Sequence, residues 1–419
     1  MPAQTTNARL RWFICGLLFL VTTINYMDRS ALGLVEPILK HMLGGDANPA
    51  RYNQQYSGIV TSFIVAYGLG FLVSGRVIDR IGAQKGLALS IVVWSMASIS
   101  HAFARTAVGF GIARFALGLG ESGNFPAALK ATADWFPVEE RALATGIFNS
   151  GTSAASLVAP LIIPWAAIRF GWQVAFFLTG GLSLLWLGAW LLFPYNRRQS
   201  SATYEVAPAT PRASFGSLLR DRKTWSFALS KALTDPVWWF YLFWLPKFFH
   251  ERFEVDMQQL GLPLVLVYVG ATIGSIGGGW LAGFAIRRGR SPRAGRRFAM
   301  LVCSLAAMAV ILVPFAHVLW QAIALLCIAT GAHQGWSSNL LSTPSDMFPS
   351  SSVATVVGIG GAVGAAGSSM VTTVIGLLWT HHSLLLFFAA GFAYLITLAA
   401  FQWKIRTPAP EPDVTPAAV

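Results

Sequence analysis

The sequence predicts an all-α integral membrane protein in which twelve transmembrane helices form two pseudo-symmetric six-helix bundles. Of its 419 residues, 55% are hydrophobic and only 11% are charged, whereas soluble domains carry about a quarter charged residues. Twelve apolar segments can be drawn along the chain, and one long polar stretch divides them into two sets of six. Segments of this length can cross the hydrocarbon core of a bilayer, so a multi-pass membrane protein is expected.

The twelve predicted spans are 12–36, 55–75, 86–104, 107–130, 142–167, 172–193, 224–246, 261–285, 298–316, 320–343, 353–379 and 383–403. The stretch 194–223 is rich in Ser, Pro and Arg, as linkers are. The predicted organisation is an N-terminal bundle at 1–193, a cytoplasmic linker at 194–223, a C-terminal bundle at 224–403 and a cytoplasmic tail at 404–419. No cleavable signal peptide is expected, because the first apolar run is long and contains a charged pair.

The net charge of +13 is explained by membrane topology rather than by nucleic acid binding. The loops assigned to the inside, counted with Lys130 at the inner end of the fourth span, hold 21 Lys and Arg residues, and those assigned to the outside hold 6. This positive-inside pattern places both termini in the cytoplasm, so no nucleic acid partner is expected. The cysteines, Cys15, Cys303 and Cys327, fall in apolar stretches without metal-ligand spacing and are expected to be core residues.

The loops after the second and eighth spans repeat weakly. GRVIDRIGAQK occupies 75–85 and GGWLAGFAIRRG occupies 278–289. Aligning Gly75 with Gly279 places Asp79 against Gly283, so the second copy keeps the glycine and the basic charge but lacks the acid. Two halves with related loops indicate an internal duplication, which is common among secondary transporters.

With Gly75, Asp79, Arg80, Gly82 and Lys85 in place, the first loop resembles the hallmark G-x-x-x-D-R-x-G-x-x-[KR] loop of the major facilitator superfamily. The chain further resembles the anion:cation symporter family in four segments: NYMDR (25–29), RFALGLGESGNFPAA (114–128), DWFPVEERALATGIFNSG (134–151) and HQGWSSNLLSTPSDMFP (333–349). KALTDPVWWFYLFWLPKF (231–248) and GLPLVLVYVGATIGSIGGGWL (261–281) resemble the hexuronate transporter branch. The resemblance covers residues 10–403. Arg76 and Gln84 depart from the family loop, at an often apolar or small position and at a frequently basic one.

The resemblance implies a proton-coupled symporter that imports sugar acids, hexuronates above all, by alternating access around a central cavity. It implies a functional monomer in a bacterial inner membrane, with the proton as coupling ion, no cofactor and no enzymatic activity. Aldonates, aldarates or other organic monoanions are alternative substrates, and a transporter-like sugar-acid sensor is a less favoured function. The sequence contains no phosphate-binding loop, so ATP-driven transport is not expected.

Asp28 and Arg29 follow about sixteen apolar residues of the first span and therefore lie about 24 Å along its helix. Charges at such depth face a protein interior or a water-filled path. The guanidinium of Arg29 can bind a carboxylate with two N–H groups and stays charged, so Arg29 is predicted to bind the substrate carboxylate, as the resemblance also implies. The alternative is a structural role, in which Arg29 neutralises Asp28 or caps a neighbouring helix.

Glu121 and Arg114 lie seven residues apart on one face of the fourth span. A buried carboxyl group can exchange a proton near neutral pH, because burial favours its neutral form and a nearby cation favours its charged form. By resemblance, Asp28 and Glu121 match the family's proton-handling carboxylates and Arg114 the arginine coupled to them. The predicted partners of Asp28 are therefore Arg114 and Glu121, which leaves Arg29 free for an anion. The alternative is a static Glu–Arg pair that holds the fourth span against the first.

Lys231, placed near the inner start of the seventh span, has Asp235 one turn further on. The pair is either intrahelical with a snorkelling lysine, or Lys231 is a second cationic substrate contact or part of an inner gate. Trp238, Trp239 and Tyr241 offer flat surfaces for a sugar ring. They occupy different helix faces, so all three cannot line the cavity.

Further polar residues in the spans can contact sugar hydroxyls or other helices. Tyr67, Asn149 and Asn339 are predicted sugar contacts because they match family cavity positions. The other candidates are Asn25, Tyr26, Asn124, His333, Gln334 and Ser337. His333 could titrate near physiological pH, although a single helix histidine is more often structural.

The loop 75–85 is predicted to gate the inner side together with Glu139, Glu140 and Arg141. By family resemblance, Asp79 pairs with basic groups of the other half when the inner side is closed. The alternative is an ordinary solvated turn.

Overall fold

The structure is a computed structural model that describes residues 2–44, 46–193, 195, 213–254 and 261–402. These residues form helices joined by short turns, and none of them lies in a β-strand. The predicted tail at 404–419 and most of the predicted linker lie outside the described residues. The domain boundaries therefore stay predictions.

Eight helices form the first half of the chain. They are α1 (Pro2–Leu34), α2 (Glu36–Met42), α3 (Pro49–Ile81), α4 (Ala83–His101), α5 (Ala107–Glu121), α6 (Asn124–Trp135), α7 (Val138–Phe170) and α8 (Gln173–Leu192). The helices α5 and α6 together make up the fourth predicted span, which is interrupted at Ser122 and Gly123. The sharp turn between α3 and α4 is centred on Gly82, whose φ of 88° is a left-handed value that favours glycine.

The second half repeats this arrangement. It contains α9 (Phe215–Arg220), α10 (Arg222–Phe253), α11 (Gly261–Arg287), α12 (Pro292–Ala307), a 3-10 segment (Met308–Phe315), α13 (Leu319–Met347), α14 (Ser350–Thr397) and a π-helical end (Leu398–Gln402). The predicted eleventh and twelfth spans both lie in α14, and the described backbone is helical across the predicted break between them. Polar side chains begin several helices: Asn48 caps α3, Asp221 caps α10 and Ser291 caps α12.

Eight of the described helical stretches are long and apolar enough to cross a membrane. The other four predicted spans are also helical, namely α4, the α5–α6 pair, α10 and α13. Each of these four is interrupted or carries several polar side chains, such as Lys231 in α10 and Gln334 in α13. Helices of this kind need polar partners inside the protein, and those partners form the candidate site.

In the described part of the chain the two bundles meet mainly where α3 packs on α14, α7 packs on α11 and α13, and α6 packs on α14. Gly75 and Gly279, aligned from sequence, occupy equivalent places in this interface. A Cβ atom on Gly75 would lie 2.3 Å from the carbonyl oxygen of Ala354, and one on Gly279 would lie 2.2 Å from that of Ala142. The repeated glycine therefore permits backbone-to-backbone contact between the bundles, once from each half.

Replacing Gly279 by Leu should push the two bundles apart where Gly279 meets Ala142, because a larger side chain would collide with backbone atoms. Spin labels on the exposed positions Lys85 and Arg290, in a background without Cys15, Cys303 and Cys327, should report a longer distance in the variant. Gly277→Leu is the matched control, since open space surrounds Gly277. Identical distance distributions for Gly279→Leu and the unsubstituted protein would show that this contact does not hold the two bundles together.

Candidate functional site

Arg29 lies at the centre of the most polar part of the first bundle. Its Nε and Nη2 donate to Oε2 of Glu121 over 3.1 and 2.9 Å. The rings of Tyr26 and Tyr67 are each centred 4.5 Å from its guanidinium carbon, within the range of cation–π attraction. The Arg29 side chain is 15% exposed and that of Glu121 is fully buried, so the cation is held tightly but remains reachable.

Asp28 points away from Arg29 into the core of the same bundle. One oxygen, Oδ1, accepts hydrogen bonds from Thr179 at 2.6 Å and from Ser98. The other oxygen, Oδ2, is buried without a hydrogen-bond partner in the structure. The carboxyl group is thus anchored by hydroxyls from α4 and α8, and one acceptor stays available for a proton.

Arg114 links the two acids without bonding either of them. Both terminal nitrogens donate to the backbone carbonyl of Arg29 at 3.3 Å. Its charge interacts electrostatically with Asp28 and Glu121. The predicted pairing was wrong in detail: Glu121 pairs with Arg29, and hydroxyl groups bond Asp28. Arg29 is therefore not free in this state, because its position over Tyr67 brings it to Glu121 across the α1–α5 contact.

The wall of the second bundle carries the ion pair of Lys231 and Asp235, whose Nζ and Oδ2 lie 2.7 Å apart. Lys231 is the tenth residue of α10, about 14 Å along the helix axis. The side chains of the pair are 14% and 27% exposed, and they pack against Gly364, where an added Cβ would lie 2.7 Å from Oδ2 of Asp235.

The aromatic residues of α10 that were predicted to contact substrate lie at different depths in the second bundle. Trp238 is partly exposed and stacks on His333, with ring centroids 5.3 Å apart. His333 is buried, and its Nδ1 hydrogen-bonds the hydroxyl of Tyr394 over 2.7 Å, which is the structural arrangement expected of a single helix histidine. Tyr241 is only 3% exposed and borders a small cavity with Trp238 and Tyr268 inside the second bundle. Tyr241 therefore does not face the other bundle. Trp239 is partly buried and interacts with other residues.

Two residues that were predicted to contact the sugar form hydrogen bonds with other residues of the protein. Asn149 of α7 donates to Gln334 over 2.8 Å and so joins the two bundles. Asn339 is fully buried, and its amide nitrogen donates to the carbonyls of Gly278 and Gly335 at 2.9 Å. Asn339 therefore serves helix packing within the second bundle, because α13 turns this residue toward α11.

One end of the molecule, called here the closed end, carries the loop 75–85. Asp79 pairs with Lys130 at 3.2 Å and accepts from the backbone nitrogens of Ala354 and Thr355 at 3.2 and 2.7 Å. The prediction that bases of the other half would pair with Asp79 was wrong. The base comes from the same half, and the other half offers backbone N–H groups in the second turn of α14. Arg80 and Lys85 are exposed at this end.

A second set of bonds between the bundles lies at the closed end, and of its residues only Arg141 was predicted to take part. Arg141 donates to the carbonyl of Ser345 over 2.7 Å and lies 3.6 Å from Asp346. Arg296 bonds both oxygens of Asp346 and also the carbonyl of Val138 over 3.0 Å. Sequence reasoning missed Asp346 and Arg296 because charges at span ends are usual, and only their pairing marks them.

The hydrogen bonds and ion pairs given above between the bundles involve first-half residues from Asp79 to Asn149. They therefore lie at the closed end or about a third of the way along α7. The bundles are bonded to each other at this end, and the Arg29 cluster and the Lys231–Asp235 pair lie beyond the bonded region.

Comparison with known proteins decides the family. Residues 18–372 match the Major Facilitator Superfamily. The chain belongs to this superfamily. A hexuronate transporter of Escherichia coli K12 is 30% identical over 385 residues, which are 88% of each chain. A galacturonate transporter of Dickeya chrysanthemi is 31% identical over 286 residues, which cover 65% of this chain and 81% of that protein.

Among solved structures of the Major Facilitator Superfamily, the proton:xylose symporter XylE superimposes with a TM-score of 0.75 at 15% sequence identity, covering 95% of this chain and 96% of that one. At this identity the likeness concerns the fold. It confirms the predicted arrangement of helices, and the family match confirms that the chain is a membrane transporter rather than an enzyme.

Proposed function

We propose that this protein is a proton-coupled symporter that imports sugar acids, with hexuronates such as galacturonate and glucuronate as its substrates, by alternating access. The arrangement of Arg29 carries the proposal. One planar cation, reachable from between the bundles, is held by a single buried carboxylate that can take a proton. The names of the relatives support the substrate class.

The coupling follows from competition for Arg29. Its N–H groups now bond Oε2 of Glu121, and a substrate carboxylate needs the same groups. Protonation of Glu121 would remove the ion pair and release the guanidinium for the substrate. Asp28 would carry or relay a proton beside it through its unpartnered oxygen, and Arg114 would hold both acids within one electrostatic network.

The closed end is assigned to the cytoplasm, because the loop 75–85 and the other basic loops belong there by the positive-inside rule. Both termini are then cytoplasmic, the membrane is a bacterial inner membrane, and the protein works as a monomer that faces outward while the closed end is locked. The locks of Asp79 and of Arg141 with Asp346 would open when the loaded transporter turns inward. The proton is the coupling ion, and no other cofactor takes part.

Uptake into proteoliposomes tests the function. Purified protein should accumulate labelled galacturonate when an inward proton gradient is imposed, and accumulation should collapse with a protonophore. A panel that includes an aldonate, an aldarate and an aromatic acid should stabilise the detergent-solubilised protein less than galacturonate does, since a ligand stabilises the state that it binds. Equal accumulation with and without the gradient would exclude symport, and a stronger response to an aldonate would change the substrate.

A further inference from the structure

The acidic partner of Lys231 faces the first bundle. Asp235 lies about 20 Å along α10 and is the more exposed member of its ion pair, at 27%. It packs against α14 at Gly364, one turn after Gly361, where α14 lies against the ring of Phe71 on α3. That ring contacts Tyr67, whose ring covers Arg29 at 4.5 Å. Asp235 and the Arg29 cluster therefore lie on opposite walls of the space between the bundles.

The combined charge of Lys231 and Asp235 restricts which ligand groups this pair can bind. A lysine alone would attract a second negative charge, and an aspartate alone would repel a monoanion. As a pair 2.7 Å apart, they present no net charge but keep both a strong acceptor and a strong donor. A hydroxyl group is itself a donor and an acceptor, so adjacent hydroxyls of a sugar ring match the pair.

The glycine behind the pair sets its position. An added Cβ on Gly364 would lie 2.7 Å from Oδ2 of Asp235 and 3.3 Å from Cβ of Lys231. The carboxylate thus fits closely against the backbone of α14. Trp238, three residues after Asp235, is partly exposed next to it and backed by His333, which provides an apolar face beside the polar pair, as a sugar ring requires.

We infer that Asp235, oriented by Lys231 and Gly364, is a specificity-determining residue that accepts hydrogen bonds from ring hydroxyls of the sugar acid. This inference rests on the proposed function. Arg29 binds the carboxylate from the first bundle, and Asp235 binds the hydroxylated part of the substrate from the second bundle. A sugar acid is thereby separated from simple monocarboxylates, which satisfy Arg29 but leave the pair without a partner.

The experiment measures binding of galacturonate and of its monodeoxy analogues by calorimetry, for the unsubstituted protein and for Asp235→Asn. In the unsubstituted protein, at least one analogue should bind about tenfold to a hundredfold more weakly than galacturonate, as is usual for a lost hydrogen bond to a charged group. In Asp235→Asn, galacturonate should bind similarly weakly, and the same analogue should bind nearly as well as galacturonate. Asp221→Asn makes the same chemical change at the cap of α10 and should alter neither value.

If the losses from Asp235→Asn and from every deoxy analogue multiply, the carboxylate does not contact a ring hydroxyl and the inference is wrong. Should Asp235→Asn fail to fold, Lys231→Gln with Asp235→Asn keeps the pair neutral and must show the same loss of discrimination. Absence of any galacturonate binding by the unsubstituted protein would instead overturn the proposed function.

Discussion

Replacing Glu121 by Gln is expected to abolish accumulation of galacturonate driven by a proton gradient, while galacturonate still binds. Glutamine imitates the protonated acid, so Arg29 loses its ion pair of 2.9 Å and is permanently available to the substrate. Proteoliposomes should show no gradient-driven uptake but measurable counterflow of labelled galacturonate. Binding in detergent should become tighter and lose most of its dependence on pH, because the competing carboxylate is absent.

Glu36→Gln is the matched control for this substitution. Glu36 accepts a hydrogen bond from Tyr52 over 2.8 Å at the start of α2, away from Arg29, and glutamine can accept the same bond. Transport by this control should be normal. If Glu121→Gln instead lost binding and counterflow together, Glu121 would be a structural partner that holds α5 against α1.

Arg29→Gln is expected to give the largest loss of substrate affinity. Losing one member of a hydrogen-bonded charge pair costs about 2–5 kcal/mol, which is roughly thirtyfold or more in Kd. Arg29→Lys should recover only part of this loss. Lysine keeps the charge but lacks the planar group that stacks between Tyr26 and Tyr67. Galacturonate titrations by calorimetry compare the variants.

Arg105 offers a control with similar surroundings, because its guanidinium also lies over an aromatic ring, that of Trp172, at 5.5 Å. Arg105→Gln should bind galacturonate as the unsubstituted protein does. Unchanged affinity in Arg29→Gln would remove Arg29 from the substrate site and leave it the structural role of bonding Glu121.

Most of the fold could be predicted from the sequence, because membrane-spanning helices carry a strong hydropathy signal and the repeated loops mark the two halves. The glycine alignment extended this to the tertiary level, since Gly75 and Gly279 occupy equivalent contacts. The equivalence continues in the spans. The segments 107–135 and Leu319–Met347 have the same length, and aligning them sets Glu121 against His333.

The pairing of charges could not be predicted, because it depends on how neighbouring helices are rotated and how deeply each is set. Asp28 and Arg29 are adjacent in sequence and point to different partners. Ser98 and Thr179, which bond Asp28, resemble the many other hydroxyl residues of apolar spans. Asp79 was predicted to pair with a base of the other half, but its base is Lys130 of the same half, and the other half offers backbone N–H groups of α14.

The two bundles divide the work that we propose. In the first bundle, Glu121 and Arg29 join the proton to the substrate carboxylate. In the second bundle, His333 occupies the equivalent of Glu121 and makes a structural bond with Tyr394, so proton coupling is concentrated in one half. The Lys231–Asp235 pair leaves the second half to recognise the uncharged part of the substrate.

The most direct test of coupling through Arg29 is the uptake of protons when galacturonate binds. Calorimetric titrations at neutral pH, in buffers with different ionisation enthalpies, measure this uptake in detergent without a membrane. We expect net proton uptake on binding to the unsubstituted protein and much less in Glu121→Gln. Binding without proton uptake, or equal uptake by both proteins, would contradict the exchange of Glu121 for the substrate carboxylate on Arg29.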